Sequence, residues 1–236
     1  MTGDQAIPRL SRDESRPKPP IRIVHLGLGA FHRSHQAWYT QHAGDAAEWG
    51  IAAFTGRRPD AAEVLAEQDG VFTVVERSGN GDTFETVGSI VEAVDGADVG
   101  RLAELVAAPA TAVITLTITE SAYAAKSAGN AERSTPLERL VTALAARRDA
   151  ESGPIAVVSC DNLAENGDVA RQAVGVLARA KDGGLAAWID ANVSFVSTSV
   201  DRITPRTTQA DADFVAASCG YRDEAAVVTE PFHNWI

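Results

Sequence analysis

Cysteine is scarce. The 236-residue chain carries only Cys160 and Cys219 and no C-x-x-C pair, so spacing offers neither a disulfide framework nor a thiolate metal site. Both thiols are expected to be reduced and structural, as in a cytoplasmic protein. Long apolar runs are missing too. No stretch reaches the ~18 apolar residues of a membrane span, and the opening "MTGDQAIPRLSRDESRPKPP" lacks the apolar segment of a secretory signal. Positive charge is in deficit: 21 Lys and Arg face 32 Asp and Glu, a formal charge of −11. That balance repels phosphate backbones and anionic lipid surfaces, which argues against nucleic acid and membrane as partners. A small anionic ligand must then be held by local dipoles.

Two catalytic signatures are also absent. No G-x-S-x-G elbow occurs, and Cys160 has no histidine base nearby in sequence, so hydrolase chemistry has little support. The histidines are His25, His32, His35, His42 and His233. His32 and His35 stand three apart, but no H-E-x-x-H or three-ligand pattern accompanies them, and no metal is expected.

What is present is ordinary globular material, 45% hydrophobic and 22% charged, in a chain long enough to bury a substantial core. Residues 1–20, mixing charge and proline, read as a flexible tail. "IRIVHLG" reads as a buried strand, 31–43 as a helix, "WGIAAFTG" as a second strand and "PDAAEVLAEQDG" as a second helix. "VFTVVERSGNGDTFETVGSIVEAV" alternates and turns at "SGNGD", an inserted hairpin or meander. "DVGRLAELVAAP" is helical and "TAVITLTIT" strand-like. "TPLERLVTALAARRD", "NGDVARQAVGVLARAK" and "LAAWIDAN" are helical, "PIAVVSC" and "VSFVSTSV" are strands, and "AAVVTEPFHNWI" is extended. Alternating strands and helices imply an α/β fold with a doubly wound, mostly parallel sheet, here a dinucleotide-binding domain over 21–236. The abrupt end after Trp235 and Ile236 suggests the front part of a longer protein.

The segment "HLGLGAFHRSHQ" nearly spells the dinucleotide turn G-x-G-x-x-G: Gly27 and Gly29 fit, and His32 takes the third glycine's place. The first glycine permits the turn, the second admits a pyrophosphate, and the third serves packing. The turn from Gly27 through Ala30 to Phe31 is therefore expected to hold the pyrophosphate. Asp60 lies beyond the second strand, where an acidic residue contacts the adenosine ribose and favours NAD. Arg57 and Arg58 stand in the same turn and suit the extra phosphate of NADP.

Several ordered motifs resemble the mannitol dehydrogenase family, which also includes fructuronate and tagaturonate reductases. They are "GLGAFHRSHQ", "TLTITE", "SCDNLAENG", "VDRITP" and "EPFHNW". The family normally carries Phe-His-Arg after its second glycine. The resemblance implies a metal-free hydride transfer between nicotinamide and a polyol or hexuronate. It implies that Asn162 donates a hydrogen bond to the reacting oxygen, with helix capping as its alternative role. It sets Asp201 near the substrate, with an ion pair to Arg202 as the alternative, and Thr117 and Val200 on the cofactor. "FVSTSVDR" departs from the family's F-P-N-x-M-V-D-R at Val196, Ser197 and Ser199, which bears on substrate choice. The family's base is a lysine in a K-x-x-x-L-N-x-x-H pattern of a helical C-terminal domain, and this chain contains no such pattern. Its lysines are Lys18, Lys126 and Lys181. A C-terminal domain of the same protein is therefore an expected partner. The competing reading is a nucleotide-binding module without catalysis, a sensor or half of a split enzyme.

Overall fold

A computed structural model describes residues 7–15, 17–123 and 134–236. Strand β1 (Ile21–Leu26) leads into one continuous rod. It consists of α1 (Ala30–His32), a π turn (Arg33–Ala37) and α2 (Trp38–His42). The widened turn has a purpose in packing: it buries Ser34, His35, Gln36 and Ala37 in succession, where an α-helix would rotate one of them to solvent. The chain then alternates through β2 (Gly50–Phe54), α3 (Asp60–Ala66), the hairpin β3 (Phe72–Ser78) and β4 (Gly81–Val87), and β5 (Ile90–Val94). It continues with α4 (Val99–Ala107), β6 (Val113–Leu116), α5 (Glu120–Tyr123), α6 (Pro136–Asp149), β7 (Ile155–Ser159), α7 (Asn166–Lys181) and α8 (Gly183–Asn192). The last elements are β8 (Val193–Ser197), β9 (Val200–Asp201), α9 (Gln209–Cys219), β10 (Val227–Thr229) and β11 (Asn234–Trp235).

Six strands pair in the order β5-β2-β1-β6-β7-β8, all parallel. A parallel sheet must be covered on both faces, and alternate residues divide accordingly. Ala52, Phe54, Ile114, Leu116 and Val157 join the core beneath α4, α6, α7 and α8. Ile51 and Ala53 join the opposite core with Leu65, Phe72 and Ile90. The sheet order reverses between β1 and β6, the topological switch point beyond whose carboxyl ends open α/β sheets bind ligands.

The hairpin is where "SGNGD" places it, and β10 adds to β3 in parallel as a third strand. Two features differ from expectation. Residues 7–15 and 17–20 are not a free tail but a strap. Leu10 is buried, its N–H donates to the Arg222 carbonyl at 2.8 Å, and Arg12 donates to the carbonyls of Gly88 at 2.9 Å and Ile90 at 2.8 Å. Those carbonyls belong to the outer margin of the sheet at β5, where arginine replaces a missing neighbour. Helix α9 was also not foreseen, although Thr208 and Asp211 form a reciprocal cap at its start. Among the described residues, no helix is long and apolar enough to cross a membrane.

Candidate functional site

The site grows from the end of β1. Gly27 has φ +114, and a Cβ there would lie 2.1 Å from the Thr117 carbonyl oxygen. Only glycine lets the loops after β1 and β6 approach this closely. The turn is then pinned: the N–H groups of Gly27 and Leu28 both donate to the Phe54 carbonyl at 2.9 Å, and the Thr117 hydroxyl donates to the Gly27 carbonyl at 2.9 Å. Gly29 is extended and starts the rod with no side-chain cap. A Cβ on it would meet nothing closer than the Gly27 carbonyl at 3.6 Å, so its open face belongs to the cleft. The first amides of the rod, from Ala30 onward, have no carbonyl one turn earlier and form the positive end of its dipole.

Where the third glycine would allow close packing, two flat rings do so instead. His32 stacks on His25 of β1 with centroids 3.4 Å apart and planes 9° from parallel. Since the Thr117 hydroxyl gives its proton to Gly27, the network assigns the His25 proton to Nε2, donated to Thr117 Oγ1 at 2.9 Å. Its Nδ1 then accepts from Thr115 Oγ1 at 2.7 Å. Burial pushes His25 down to about 3 and holds His32 well below the usual histidine range. His35, buried and bonded to the Asn234 carbonyl at 2.8 Å, falls to about 4. All three rings are thus neutral at physiological pH; His25 and His35 pack and hydrogen-bond, while His32 packs by stacking.

One cleft crosses the switch point, with Gly27, Gly29, Thr117 and Thr119 in the floor shared by both its ends. The smaller end, about 420 Å³, is lined by Ala30, Phe31, Cys160, Asn162, Val200 and Asp201, among others. Asn162 is exposed, and the helix that follows, α7, has Glu165 as its N-cap, at φ +51 and with no side-chain cap bond. The capping role is therefore not what is observed. Asn166, missed at the sequence level, does the local holding. Its carboxamide donates to the carbonyls of Asp161 and Thr198, both at 2.8 Å, and accepts from the Thr198 N–H at 3.0 Å.

Asp161 was missed as well. Its buried carboxylate accepts from the N–H groups of Ile118 at 3.2 Å and Thr119 at 2.8 Å, and from the Tyr123 hydroxyl at 2.6 Å. It thereby fixes the loop after β6, where Thr119 sits at φ +73. Burial and then the Asp161 charge push the Tyr123 hydroxyl above the usual tyrosine range. Burial likewise raises the Cys160 thiol to about 12, so it is no nucleophile at neutral pH.

Asp201 is exposed on β9, held by its antiparallel partner Asn234 of β11. Arg202 turns the other way. Its fully buried guanidinium donates to the Ser34 carbonyl at 2.6 Å, pairs with Glu76 at 3.2 Å and lies 4.8 Å over the Trp38 ring. The alternative Asp201–Arg202 pair is thus replaced by an Arg202–Glu76 pair. The sequence signal was that successive residues of extended chain face opposite sides, here the last residue of β9 and the one after it.

The larger end, about 840 Å³, is lined by Gly56, Arg57, Ser121, Ser134, Thr135, Pro136 and Arg139. Arg139 donates to the carbonyls of Gly56 at 2.6 Å and Thr55 at 3.4 Å and also to that of Gly96. Asp60 opens α3 and pairs with Arg58 at 3.2 Å; it is not among the residues lining either end. Of the expected residues, the structure brings together Gly27, Gly29, Ala30, Phe31, Thr117, Asn162, Val200 and Asp201, with Arg57 at the far end, and leaves Asp60 outside. Lys18 donates to the Val91 carbonyl at 3.3 Å and Lys181 to the Thr142 hydroxyl at 3.0 Å. Lys126 lies outside the described residues. The glycine floor, the helix amides and an elongated cleft with polar groups at both ends fit a dinucleotide.

The model of the mannitol dehydrogenase Rossmann domain matches residues 21–236. The chain belongs to the mannitol dehydrogenase family. It is 38% identical to the D-mannonate oxidoreductase of Escherichia coli (strain K12), covering 98% of this chain and 52% of that protein. It is 36% identical to a mannitol 2-dehydrogenase of Cereibacter sphaeroides, over 98% and 52%. Among solved structures, the Pseudomonas fluorescens mannitol 2-dehydrogenase in ternary complex with NAD and D-mannitol superimposes with a TM-score of 0.84 at 33% identity. That match covers 92% of this chain and 49% of that one. A D-sorbitol dehydrogenase in substrate-free form gives 0.83 at 31%, covering 96% and 54%. This family member therefore spans about half the length of the relatives it matches.

Proposed function

We propose that this chain is the cofactor-binding half of an NAD-dependent oxidoreductase that interconverts a sugar alcohol and a ketose, or a hexuronate and its reduced form. The observation that carries the reading is the single cleft over the switch point, which unites Gly27, Gly29 and Thr117 with Asn162 and Asp201. The pyrophosphate lies against Gly27 and the rod's first amides, where dipole and open N–H groups offset the chain's overall negative charge. When bound, nicotinamide supplies the group that takes or gives the hydride. Asn162 presents a carboxamide N–H to the reacting oxygen, whose developing negative charge it stabilises. Asp201, anchored by β11, accepts hydrogen bonds from substrate hydroxyls and orients the reacting carbon.

A polyol dehydrogenase also needs a base near neutrality, and the buried histidines are unsuited to it. The reading therefore includes a helical C-terminal domain of the same protein carrying the family's lysine. The test is titration of the 236-residue chain with NADH, followed by ternary titration with mannitol, fructose and a hexuronate. Saturable NADH binding that Asn162→Ala leaves intact, with sugar binding that Asp201→Ala removes, is the expected result. No dinucleotide binding would overturn the reading.

A further inference from the structure

Resting on the role proposed for Asp201, we propose that the π turn of the first helical rod is a positioning device for the substrate side of the cleft, in which His35 and Ser34 act as positioning residues that set Asp201 from behind. The strands concerned cannot hold themselves. β9 and β11 are two residues long and pair only with one another, and a ribbon so short has no stability of its own in water. The place of Asp201 at the smaller end of the cleft is therefore fixed by whatever grips the ribbon.

That grip comes from two successive residues of the π turn. His35 takes β11: its Nε2–H donates to the Asn234 carbonyl at 2.8 Å, and Asn234 is the residue paired with Asp201. A carbonyl can only accept, so the proton of this neutral ring sits on Nε2, and Nδ1 accepts from the Gln36 carboxamide at 3.0 Å. The rings continue the hold. Trp235 lies 5.5 Å from both His35 and Tyr39, centroid to centroid, and the Tyr39 hydroxyl shares a hydrogen bond with His233 Nδ1 at 2.6 Å.

Ser34 takes the other strand. Its carbonyl accepts from the Arg202 guanidinium at 2.6 Å and its hydroxyl is hydrogen-bonded to that of Thr204 at 2.7 Å, so the chain is locked to the rod directly after Asp201. The widened turn keeps Ser34 and His35 both buried, which lets one turn reach both strands of the ribbon; such bulges recur at functional sites. A misplacement of about 1 Å in a group that orients a substrate is enough to cost about a hundredfold in rate, which gives a grip of this kind functional weight.

The experiment compares two variants with the unaltered 236-residue chain. His35→Phe keeps a ring against Phe31 but has no N–H for the Asn234 carbonyl; His35→Gln has a carboxamide N–H that can replace it. Each is titrated with NADH and then, at saturating NADH, with mannitol, fructose and a hexuronate. In His35→Phe the NADH Kd is expected to stay within about twofold while the sugar Kd rises about tenfold, the scale of one lost hydrogen bond whose buried partner is left unsatisfied. His35→Gln should recover most of the sugar binding. In an Asp201→Asn background, where the sugar contact is already weakened, His35→Phe should add less than about twofold, because both changes act through one group. Should His35→Phe fail to fold, Tyr39→Phe, which removes only the hydroxyl on His233, carries the same comparison with an expected rise of about threefold. An unchanged sugar Kd, or equal losses of sugar and NADH binding, would overturn this inference alone. Sugar binding that Asp201→Ala leaves intact, or no sugar binding by the unaltered chain, would overturn the role of Asp201 and this inference with it.

Discussion

At the scale of single residues, the two turn glycines look alike in sequence and differ in what they do. Gly27 needs its left-handed backbone, and any Cβ would run into the Thr117 carbonyl. Gly27→Ala is therefore expected to destabilise the fold by roughly 1–3 kcal/mol, seen as a lower Tm, and to abolish NADH binding. Gly29 has space for a methyl group and a backbone that alanine adopts. Gly29→Ala should leave Tm nearly unchanged yet weaken NADH binding about tenfold or more by crowding the pyrophosphate; an unchanged Kd would argue against the phosphate position. The histidines make a pH prediction. His25 and His35 have folded values of about 3 and about 4 against an ordinary 6.5. As pH falls through 6.5 the unfolded chain takes up protons that the folded chain does not, so stability is full above that point and declines toward pH 4. Thermal melts between pH 7.5 and 5, a window mostly above carboxylate titration, should fall by several degrees; a flat profile would contradict the buried, neutral assignment.

At the scale of elements, legibility followed amphipathic pattern and cap chemistry. α6 and α7 are legible in "TPLERLVTALAARRD" and "NGDVARQAVGVLARAK" because an apolar stripe, a cap and a breaker agree. α9 was not legible because it buries only Val215, so its apolar period is too faint to register beside an intact cap. The π turn is invisible for another reason: an apolar stripe cannot report that polar Ser34, His35 and Gln36 are the buried residues. Glycine turn, Asn162 and Asp201 were legible as motifs. Asp161 and Asn166 were not, since their work is to hold backbone of distant loops, and sequence spacing carries no record of that. Asp161 illustrates the cost of losing such a tie. Asp161→Asn keeps one acceptor oxygen and sets a donor against one of the two N–H groups, since each carboxylate oxygen serves a different one. The change is expected to cost about 1–3 kcal/mol for the buried group left unsatisfied, to lower Tm, and to restore the Tyr123 hydroxyl toward its ordinary value in a spectroscopic titration. Tyr123→Phe, which removes only one of the partners, should be milder.

At the scale of the whole molecule, the proposed hydride transfer needs one part that the described residues of this sheet do not supply. Hydride removal from an alcohol requires the hydroxyl proton to go to a base, and near neutrality that base must have a pKa close to the medium. Among the described residues at the smaller end, Cys160 holds its proton up to about 12 and His32 is buried and resists gaining one. Asp161 is committed to two amides and a tyrosine hydroxyl. Asp201 is exposed, and the role proposed for it is to accept from substrate hydroxyls and orient them. The 236-residue chain is therefore expected to bind dinucleotide yet oxidise mannitol at least about a thousandfold more slowly than a relative of full length, a deficit typical of a missing general base together with part of its substrate pocket. Adding the C-terminal half of such a relative in trans should recover part of the rate, and changing the lysine of that half to alanine should remove the recovery. Robust turnover by the chain alone would mean that a group on this domain already accepts the proton.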